Sequence, residues 1–282
     1  NNTVTLYDNT PPTMTAVNIV SNNSNYTNLA TVGDNVTVTF TSSETITTPS
    51  VLIGGQSATV SGSGTSWSAV KAMASGDTEG IISIAIDAID LSDNIGTTAT
   101  ATTDNSQVTL DRTAPTLAIN IASDNSTTTL AKPGDDVTLT VTSSENLYQA
   151  PTATIDGNAA SVSPSTQTTS YTATRTMASG DTDGAVAFVL SGVTDLAGNT
   201  VSNVTATTDA SSVRFDSVAP TVDAITIASN NNYDNDNTTS LAKSGDSVTV
   251  SFTTSENIQT PTVTIAQGTA TVSGSDAVWS AT

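Results

Sequence analysis

The sequence predicts an all-β chain built as a tandem array of β-sandwich domains. The first observation is a strand-like segment written three times, as VTVTFTSSE, VTLTVTSSE and VTVSFTTSE, starting at Val36, Val137 and Val248. Each copy alternates apolar and hydroxyl residues with the two-residue period of a half-buried strand. The second is the return of two phrases after about 104 residues, MASGDTEG as MASGDTDG and DRTAPT as DSVAPT. A period of this length is that of a whole domain, so each repeat is predicted to have its own core.

The middle repeat predicts seven short strands, separated by Gly, Asp, Asn and Pro. In chain order they are Thr116 to Ile121 (strand A), Val137 to Thr142 (B), Thr152 to Ile155 (C), Ala160 to Ser163 (D), Tyr171 to Met177 (E), Ala185 to Leu190 (F) and Val213 to Asp216 (G). No helical periodicity interrupts them. Seven short strands in about 100 residues predict an immunoglobulin-like sandwich, inferred from strand number and spacing because the Cys and Trp hallmarks of antibody domains are missing.

A polar chain of this kind could instead be disordered, since Ser and Thr together make up one third of it and its net charge is −20. The strict alternation of valine argues against disorder, which needs no such pattern. Trp67, Tyr171 and Trp279 also return at one repeat position, and they are predicted to be core anchors.

The repeats divide the chain into four segments. Residues 1–10 match the last strand of a preceding domain, because Val4 to Leu6 resembles Val108 to Leu110. Residues 11–113 and 114–218 are domains 1 and 2, and residues 219–282 are part of domain 3. We expect a fragment of a longer array; the alternative is that neighbouring molecules exchange the strands that domain 3 lacks.

Composition excludes several functions. Only six residues are basic against 26 acidic ones, which argues against nucleic-acid binding. The chain has no histidine and no cysteine, and no glycine-rich phosphate loop, so we expect no enzymatic activity. No apolar run approaches the about 18 residues of a transmembrane helix. Acidity, few lysines and many Thr and Asn residues suggest an extracellular location without disulfides.

Acidic residues recur at the same repeat positions, and strand parity places them. If strand A runs down, the A–B and E–F loops lie at the lower pole of a domain and the B–C and F–G loops at its upper pole. The lower pole of domain 1 then faces the upper pole of domain 2. This arrangement predicts one cluster of oxygen-bearing side chains at the joint: Asp34, Asp77, Glu79, Asp111, Glu145, Asp195 and Asn199.

The next joint is predicted to hold Asp135, Asp181, Asp183, Asp216 and Glu256. Calcium takes about 6 to 8 hard oxygen ligands, so we expect structural Ca²⁺ at these joints. The alternative is that the acidic residues are ordinary solvated turn residues. The insert NNNYDNDN, from Asn230 to Asn237, is a further candidate.

The order of phrases TAPT, IASNN or IASDN, GDxVTxxFTxSE, SWSA, MASGDTEG, DLAGN and TTDxSSV resembles the tandem Ig-like repeats of surface-layer proteins of marine ammonia-oxidising archaea. Similar repeats occur in large bacterial adhesins. The resemblance covers essentially the whole chain, although Ser92 and Asp93 depart from the DLAGN motif. It implies a cell-surface protein that assembles with copies of itself into a porous, cation-permeable lattice stabilised by metal ions. A calcium-stiffened adhesin stalk and a sugar-binding module are the alternatives.

Overall fold

The structure, a computed structural model, describes residues 7–231 and 241–282. It has two compact units, Asn1–Asp216 and Ser217–Thr282. The predicted strand Val4 to Leu6 lies outside the described residues, as does the insert NNNYDNDN from Asn232 onward. No helix in the described ranges is long and apolar enough to cross a lipid bilayer.

Unit 1 contains two successive sandwiches, here called repeat 1 and repeat 2. The strands of repeat 1 are β1 (Met14–Ser21), β2 (Leu29–Ala30), β3 (Asn35–Ser42), β4 (Ser50–Ile53), β5 (Gln56–Ser57), β6 (Thr59–Ser63), β7 (Ser66–Ala72), β8 (Gly80–Ile81), β9 (Ile84–Asp87) and β10 (Thr109–Leu110). One sheet has the order β1-β3-β7-β6, and the opposite side is formed by β5-β4-β9 and β2-β10-β8. This is the ABED and CFG arrangement of an immunoglobulin-like sandwich, with strand F divided into β8 and β9.

Repeat 2 has the same order. Its strands are β11 (Leu117–Ser123), β12 (Leu130–Ala131), β13 (Asp136–Ser143), β14 (Thr152–Ile155), β15 (Asn158–Ala159), β16 (Ser161–Ser163), β17 (Ser170–Thr176), β18 (Gly184–Ala185), β19 (Phe188–Ser191) and β20 (Arg214–Phe215). The all-β, tandem immunoglobulin-like fold predicted from the sequence is therefore confirmed. Strand F is not continuous as predicted, because residues 186 and 187 break the ladder between β18 and β19.

Unit 2 contains β21 (Val222–Ser229), β22 (Val248–Thr254), β23 (Thr264–Ile265), β24 (Gly268–Thr269), β25 (Val272–Ser275) and β26 (Val278–Ala281). Its main sheet has the order β21-β22-β26-β25, which matches the first sheet of repeats 1 and 2. The described residues of unit 2 include no counterpart of β8, β9 or β10.

A recurring aromatic side chain on strand E anchors each core. Trp67, Tyr171 and Trp279 are 8%, 1% and 5% exposed, as the sequence predicts. Each satisfies its polar atom locally: Trp67 Nε1 donates to the carbonyl of Gly64 at 3.1 Å, and the Tyr171 hydroxyl donates to the carbonyl of Thr166 at 3.1 Å. Burial of a ring with its polar atom satisfied stabilises the core without leaving an unpaired donor.

Candidate metal centre at the joint between the repeats

Three carboxylates meet where repeat 1 joins repeat 2. Asp111 directly follows β10, Glu145 follows β13 and Asp195 follows β19. One oxygen from each lies within 4.8 Å of the others. Asp195 is fully buried, whereas Asp111 and Glu145 are partly exposed. We call this group the joint trio.

The turn DLAGN holds Asp195 in place. Its Oδ1 accepts hydrogen bonds from the backbone N–H groups of Gly198 at 2.7 Å and Asn199 at 2.8 Å, while its Oδ2 accepts one from Asn199 Nδ2 at 2.8 Å. Gly198 has a φ of +101°, a conformation that few side-chain-bearing residues adopt. The Asp195 carboxylate has about four lone-pair positions, and these hydrogen bonds use three of them. One lone pair therefore remains to bind a cation.

The joint trio carries concentrated negative charge. The ion pairs found among the described residues involve Asp77, Asp135 and Asp181, not the trio. Desolvation raises the pKa of Asp111, and the negative charges of Asp195 and Glu79 raise it further. A hydrogen bond from the backbone N–H of Thr113 lowers this pKa, but the net shift is upward. Desolvation and the charges of Asp111 and Asp195 likewise raise the pKa of Glu145. At 4.8 Å and an effective dielectric of about 20, two such charges repel by about 3 kcal/mol.

The same arrangement occurs at the upper pole of repeat 1, where oxygens of Asp8, Glu44 and Asp90 lie within 4.8 Å of one another. Asp90 Oδ1 accepts from Asn94 N at 2.8 Å, and Asn94 Nδ2 donates to Asp90 Oδ2 at 2.7 Å, as Asn199 does for Asp195. Asp8, Glu44 and Asp90 are not among the ligands predicted from the sequence. The signal was available, because Asp8 starts DNTPPT as Asp111 starts DRTAPT.

Three of the side chains predicted for the first joint have other partners. Asp34 Oδ2 accepts hydrogen bonds from Asn23 Nδ2 at 2.7 Å and from Thr31 N at 2.8 Å. Asp77 accepts one from the backbone N–H of Ala74 at 2.8 Å and pairs with Lys71, and both contacts lower its pKa. These two carboxylates cap turns at the lower pole and are not members of the trio.

Glu79 is the third. Its Oε1 accepts from the Thr113 hydroxyl at 2.9 Å and from the backbone N–H of Arg112 at 2.7 Å, and these bonds lower its pKa. It acts on the trio through its charge, which raises the pKa of Asp111. Glu79 therefore fixes the linker that follows Asp111, because both of its donors belong to that linker.

The residues predicted for the second joint are distributed over both units. Asp135 accepts from Asn125 Nδ2 at 2.7 Å and pairs with Lys132 at 3.1 Å. Asp181 pairs with Arg175 at 2.5 Å. Of the others, Asp183 is exposed, Asp216 donates its N–H to the carbonyl of Ala131 at 2.9 Å, and Glu256 follows β22 in unit 2. A metal site formed by these five residues stays a prediction.

Direct hydrogen bonds join the two repeats beside the trio. Asn23 Nδ2 donates to the carbonyl of Ala197 at 2.7 Å, and the Thr31 hydroxyl donates to Asn199 Oδ1 at 2.5 Å. Both donors lie in the A–B loop of repeat 1 and both acceptors in the F–G loop of repeat 2. The lower pole of repeat 1 thus faces the upper pole of repeat 2, as strand parity predicts.

An aromatic pair, which the sequence analysis missed, adds to this joint. The rings of Tyr26 and Tyr148 meet edge to face, with centroids 6.2 Å apart and planes at 84°. Gln167 Nε2 donates to the Tyr26 hydroxyl at 2.8 Å and to the carbonyl of Tyr148 at 3.0 Å. Neither tyrosine recurs at its repeat position, so the periodicity that located the carboxylates gave no signal for them.

No protein-family model matches this chain, and curated proteins give no match either. Among solved structures, the chain is similar to the I9–I11 tandem from titin, with 7% identity, 90% of this chain and 84% of that chain covered, and a TM-score of 0.35. It is similar to the fibronectin(III)-like modules of Clostridium thermocellum CbhA, with 11% identity, 71% and 93% covered, and a TM-score of 0.30. It is also similar to BcpA, the major pilin subunit of Bacillus cereus, with 10% identity, 74% and 69% covered, and a TM-score of 0.21. At these scores, the fold assignment rests on the chain's own strand order.

Proposed function

We propose that the chain is a non-enzymatic structural component of an extracellular cell-surface layer. In this role, copies of the protein assemble into a porous, negatively charged and cation-permeable lattice stabilised by metal ions. The observation that carries the proposal is the joint trio, which lies between two sandwiches already tied by hydrogen bonds. A joint of this kind serves a protein whose task is to hold its domains in a set geometry.

The trio fits a calcium ion by its donor chemistry. Asp111, Glu145 and Asp195 would hold the ion, and carboxylate oxygens are the ligands that calcium prefers. Bound calcium would supply the positive charge that the trio otherwise lacks. Asp111 is fixed to repeat 1, because its N–H donates to the carbonyl of Ala30 at 2.9 Å. Glu145 and Asp195 belong to repeat 2, so an ion held by all three would connect the two repeats.

The net charge of −20 supports the cation-permeable part of the proposal. Carboxylates that line a pore raise the local concentration of cations and repel anions. Screening limits the effect to about 8 Å at physiological ionic strength, so it would operate only in narrow pores.

A calcium-stiffened stalk of a large adhesin is the second candidate, and the same joint favours it. A stalk needs stiff joints between successive domains, whereas a lattice also needs lateral contacts that bury on the order of 1,000 Å² between chains. Lateral contacts therefore distinguish the two functions.

The test is electron microscopy of the purified chain on a lipid or carbon support, in calcium and after chelation. We expect ordered two-dimensional sheets in calcium that disperse when calcium is chelated. Separate rods that stiffen in calcium without forming sheets would overturn the lattice and support the stalk. Identical images and identical melting curves under both conditions would overturn the calcium-dependent joint.

A further inference from the structure

Strand A of each repeat, β1 or β11, is the outer strand of its four-stranded sheet. It is also the longer of the two outer strands: β1 has eight residues and β11 has seven, whereas β6 has five and β16 has three. β1 reads MTAVNIVS and β11 reads LAINIAS, with no charged residue, no Pro and no Gly. Long, uncharged outer strands of this composition are the ones that pair with strands of other molecules.

In repeat 1, a hydroxyl-bearing segment shortly before β10 covers this edge. The Thr103 hydroxyl accepts a hydrogen bond from the backbone N–H of Val17 at 2.9 Å, and the Ser106 hydroxyl accepts one from Ile19 N at 2.9 Å. Thr103 N in turn donates to the carbonyl of Val17 at 2.9 Å. Side-chain hydroxyls thus stand where a neighbouring strand would place its carbonyl groups. We call residues 102–106, which read TTDNS, the latch of repeat 1.

Repeat 2 has the same latch in residues 207–211, which read TTDAS. The Thr208 hydroxyl accepts from Ile119 N at 2.8 Å, and the Ser211 hydroxyl accepts from Ile121 N at 2.9 Å. Thr208 N donates to the carbonyl of Ile119 at 3.0 Å. The two latches therefore contact strand A through equivalent atoms, and they give a structural reason for the recurrence of the phrase TTDxSSV.

Each latch also closes on itself. The Thr102 hydroxyl donates to the carbonyl of Ser106 at 2.9 Å, and the Thr207 hydroxyl donates to the carbonyl of Ser211 at 2.9 Å. Ala210 has a φ of +61°, a left-handed conformation that alanine adopts at a cost. The turn therefore keeps its shape through its hydrogen bonds and not through a residue that prefers this conformation.

The latch brings a negative charge to the edge of strand A. Asp209 accepts hydrogen bonds from Ser211 N at 3.0 Å and from Asn120 Nδ2 on β11 at 2.8 Å. Hydrogen bonds from Ser211 and Asn120 lower the pKa of Asp209 to about 2, so the carboxylate is charged at neutral pH. Asp104 has the same position in repeat 1, and both residues are exposed. A charge beside an outer strand opposes the approach of a second strand.

We propose that the TTDxS latch is an edge guard, which prevents strand A of one copy from pairing with strand A of a second copy. A strand can pair with its own copy in antiparallel orientation, because the two edges are then related by a two-fold axis and offer the same groups. The latch removes the N–H groups that such pairing needs and adds a carboxylate from each copy. In an array of similar domains, this guard would leave assembly to other surfaces. The proposal rests on repeats 1 and 2 and does not depend on the joint trio or on calcium.

The test removes the latch hydroxyls of repeat 1 from the whole 282-residue chain, as Thr103→Val with Ser106→Ala. Self-association is followed by sedimentation velocity over a range of protein concentrations in the presence of a calcium chelator. We expect this variant to form dimers or larger species at concentrations where the unaltered chain does not. Thr39→Val with Ser61→Ala is the matched control, because both residues are exposed on the same sheet away from the edge of strand A. The control should sediment as the unaltered chain does.

Amide hydrogen exchange shows whether strand A is the surface that pairs. At low concentration, the amides of Val17 and Ile19 should exchange about tenfold faster in the latch variant, because each loses its hydrogen bond. At high concentration, the same two amides should become protected again. Adding Val17→Pro to the latch variant removes an N–H that pairing needs, and an open strand edge tolerates proline. We expect it to reverse the self-association.

Ser106→Ala alone keeps the test decisive if the double change disturbs folding. It should accelerate exchange at Ile19 and not at Val17, and it should cause weaker self-association. A latch variant that sediments as the unaltered chain does at every concentration would overturn the proposal. Self-association that Val17→Pro does not reverse, or that the control shares, would overturn it as well, since pairing through strand A would then not be the cause.

Discussion

Glu145→Gln removes one negative charge from the joint trio while keeping the size of the side chain. Each trio pair repels by about 3 kcal/mol at 4.8 Å and an effective dielectric of about 20, and partial exposure reduces this value. Without a cation, the substitution should therefore stabilise unit 1 by about 1–3 kcal/mol. For a unit of this size, that corresponds to a rise in Tm of about 2–12 °C.

In calcium, the same substitution should remove most of the stabilisation that the bound ion provides. Calcium at about 100 times its dissociation constant stabilises the unaltered protein by about 2.7 kcal/mol. Loss of one of three carboxylate ligands should abolish most of this gain. The assay is differential scanning calorimetry at neutral pH, with calcium and with a chelator, for both proteins. The expected result is that Glu145→Gln melts higher in chelator and responds less to calcium.

Asp124→Asn is the matched control. Asp124 Oδ1 accepts a hydrogen bond from Asp136 N at 2.8 Å, and Asn22 Oδ1 accepts the equivalent bond from Asn35 N in repeat 1 at 2.7 Å. The control thus removes one charge from repeat 2 and keeps a geometry that the chain already uses. We expect it to leave the calcium response unchanged. A Glu145→Gln protein that is less stable than the unaltered one in chelator, or that keeps the full calcium response, would refute the electrostatic account of the joint.

Tyr26→Ala and Tyr148→Ala in a double-mutant cycle should show a coupling of about 0.5–1.5 kcal/mol in the unfolding of unit 1, and strictly additive effects would contradict a role for the ring contact. The Thr208 hydroxyl accepts a hydrogen bond from Ile119 N at 2.8 Å, so Thr208→Val should destabilise repeat 2 by about 1 kcal/mol and accelerate hydrogen exchange at the Ile119 amide, whereas unchanged exchange would count against this bond. The pKa of Asp209 is lowered to about 2, so its stabilisation should be complete above about pH 4 and be lost as the pH falls towards 2. Carboxyl NMR titration measures this pKa, and Asp209→Asn should flatten the acid side of the stability curve.

The alternation of apolar and polar residues, and the recurrence of whole sequence segments, made the sandwich fold predictable. The predicted strand Thr152–Ile155 is the observed β14, because apolar and polar residues there alternate in the pattern that one buried face requires. Strand F was less predictable. Val186 is partly buried and packs against the core of repeat 2, but it lies between β18 and β19 rather than within a strand. Apolar periodicity indicates which residues are buried, and a residue such as Val186 can be buried at a point where strand pairing is interrupted.

The candidate site was predictable only in part, for a related reason. Recurrence located Asp111, Glu145 and Asp195, but it selected Asp34 and Asp77 with equal force. All five positions recur, and local hydrogen bonding does not separate them either, because Asp195 accepts hydrogen bonds within its own turn as Asp34 and Asp77 do. The carboxylates of Asp34 and Asp77 each accept a hydrogen bond from the backbone N–H three residues earlier in the chain, as turn-capping carboxylates do. What distinguishes Asp111, Glu145 and Asp195 is that their oxygens lie within 4.8 Å of one another, a distance that depends on how the two repeats pack and that residue spacing does not give.

The division of the trio between the repeats bears on how the joint would respond to a cation. Asp111 stands directly after β10, whose ladder within repeat 1 holds it, while the turn DLAGN fixes Asp195 on repeat 2. Without a cation, repulsion within the trio opposes the hydrogen bond that the Thr31 hydroxyl donates to Asn199, a residue of the same turn as Asp195. With a bound cation, the trio and this hydrogen bond would both hold the two repeats together. The hydrogen bonds and the tyrosine pair thus define the orientation of the repeats, and the charge state of the trio decides how strongly that orientation is held.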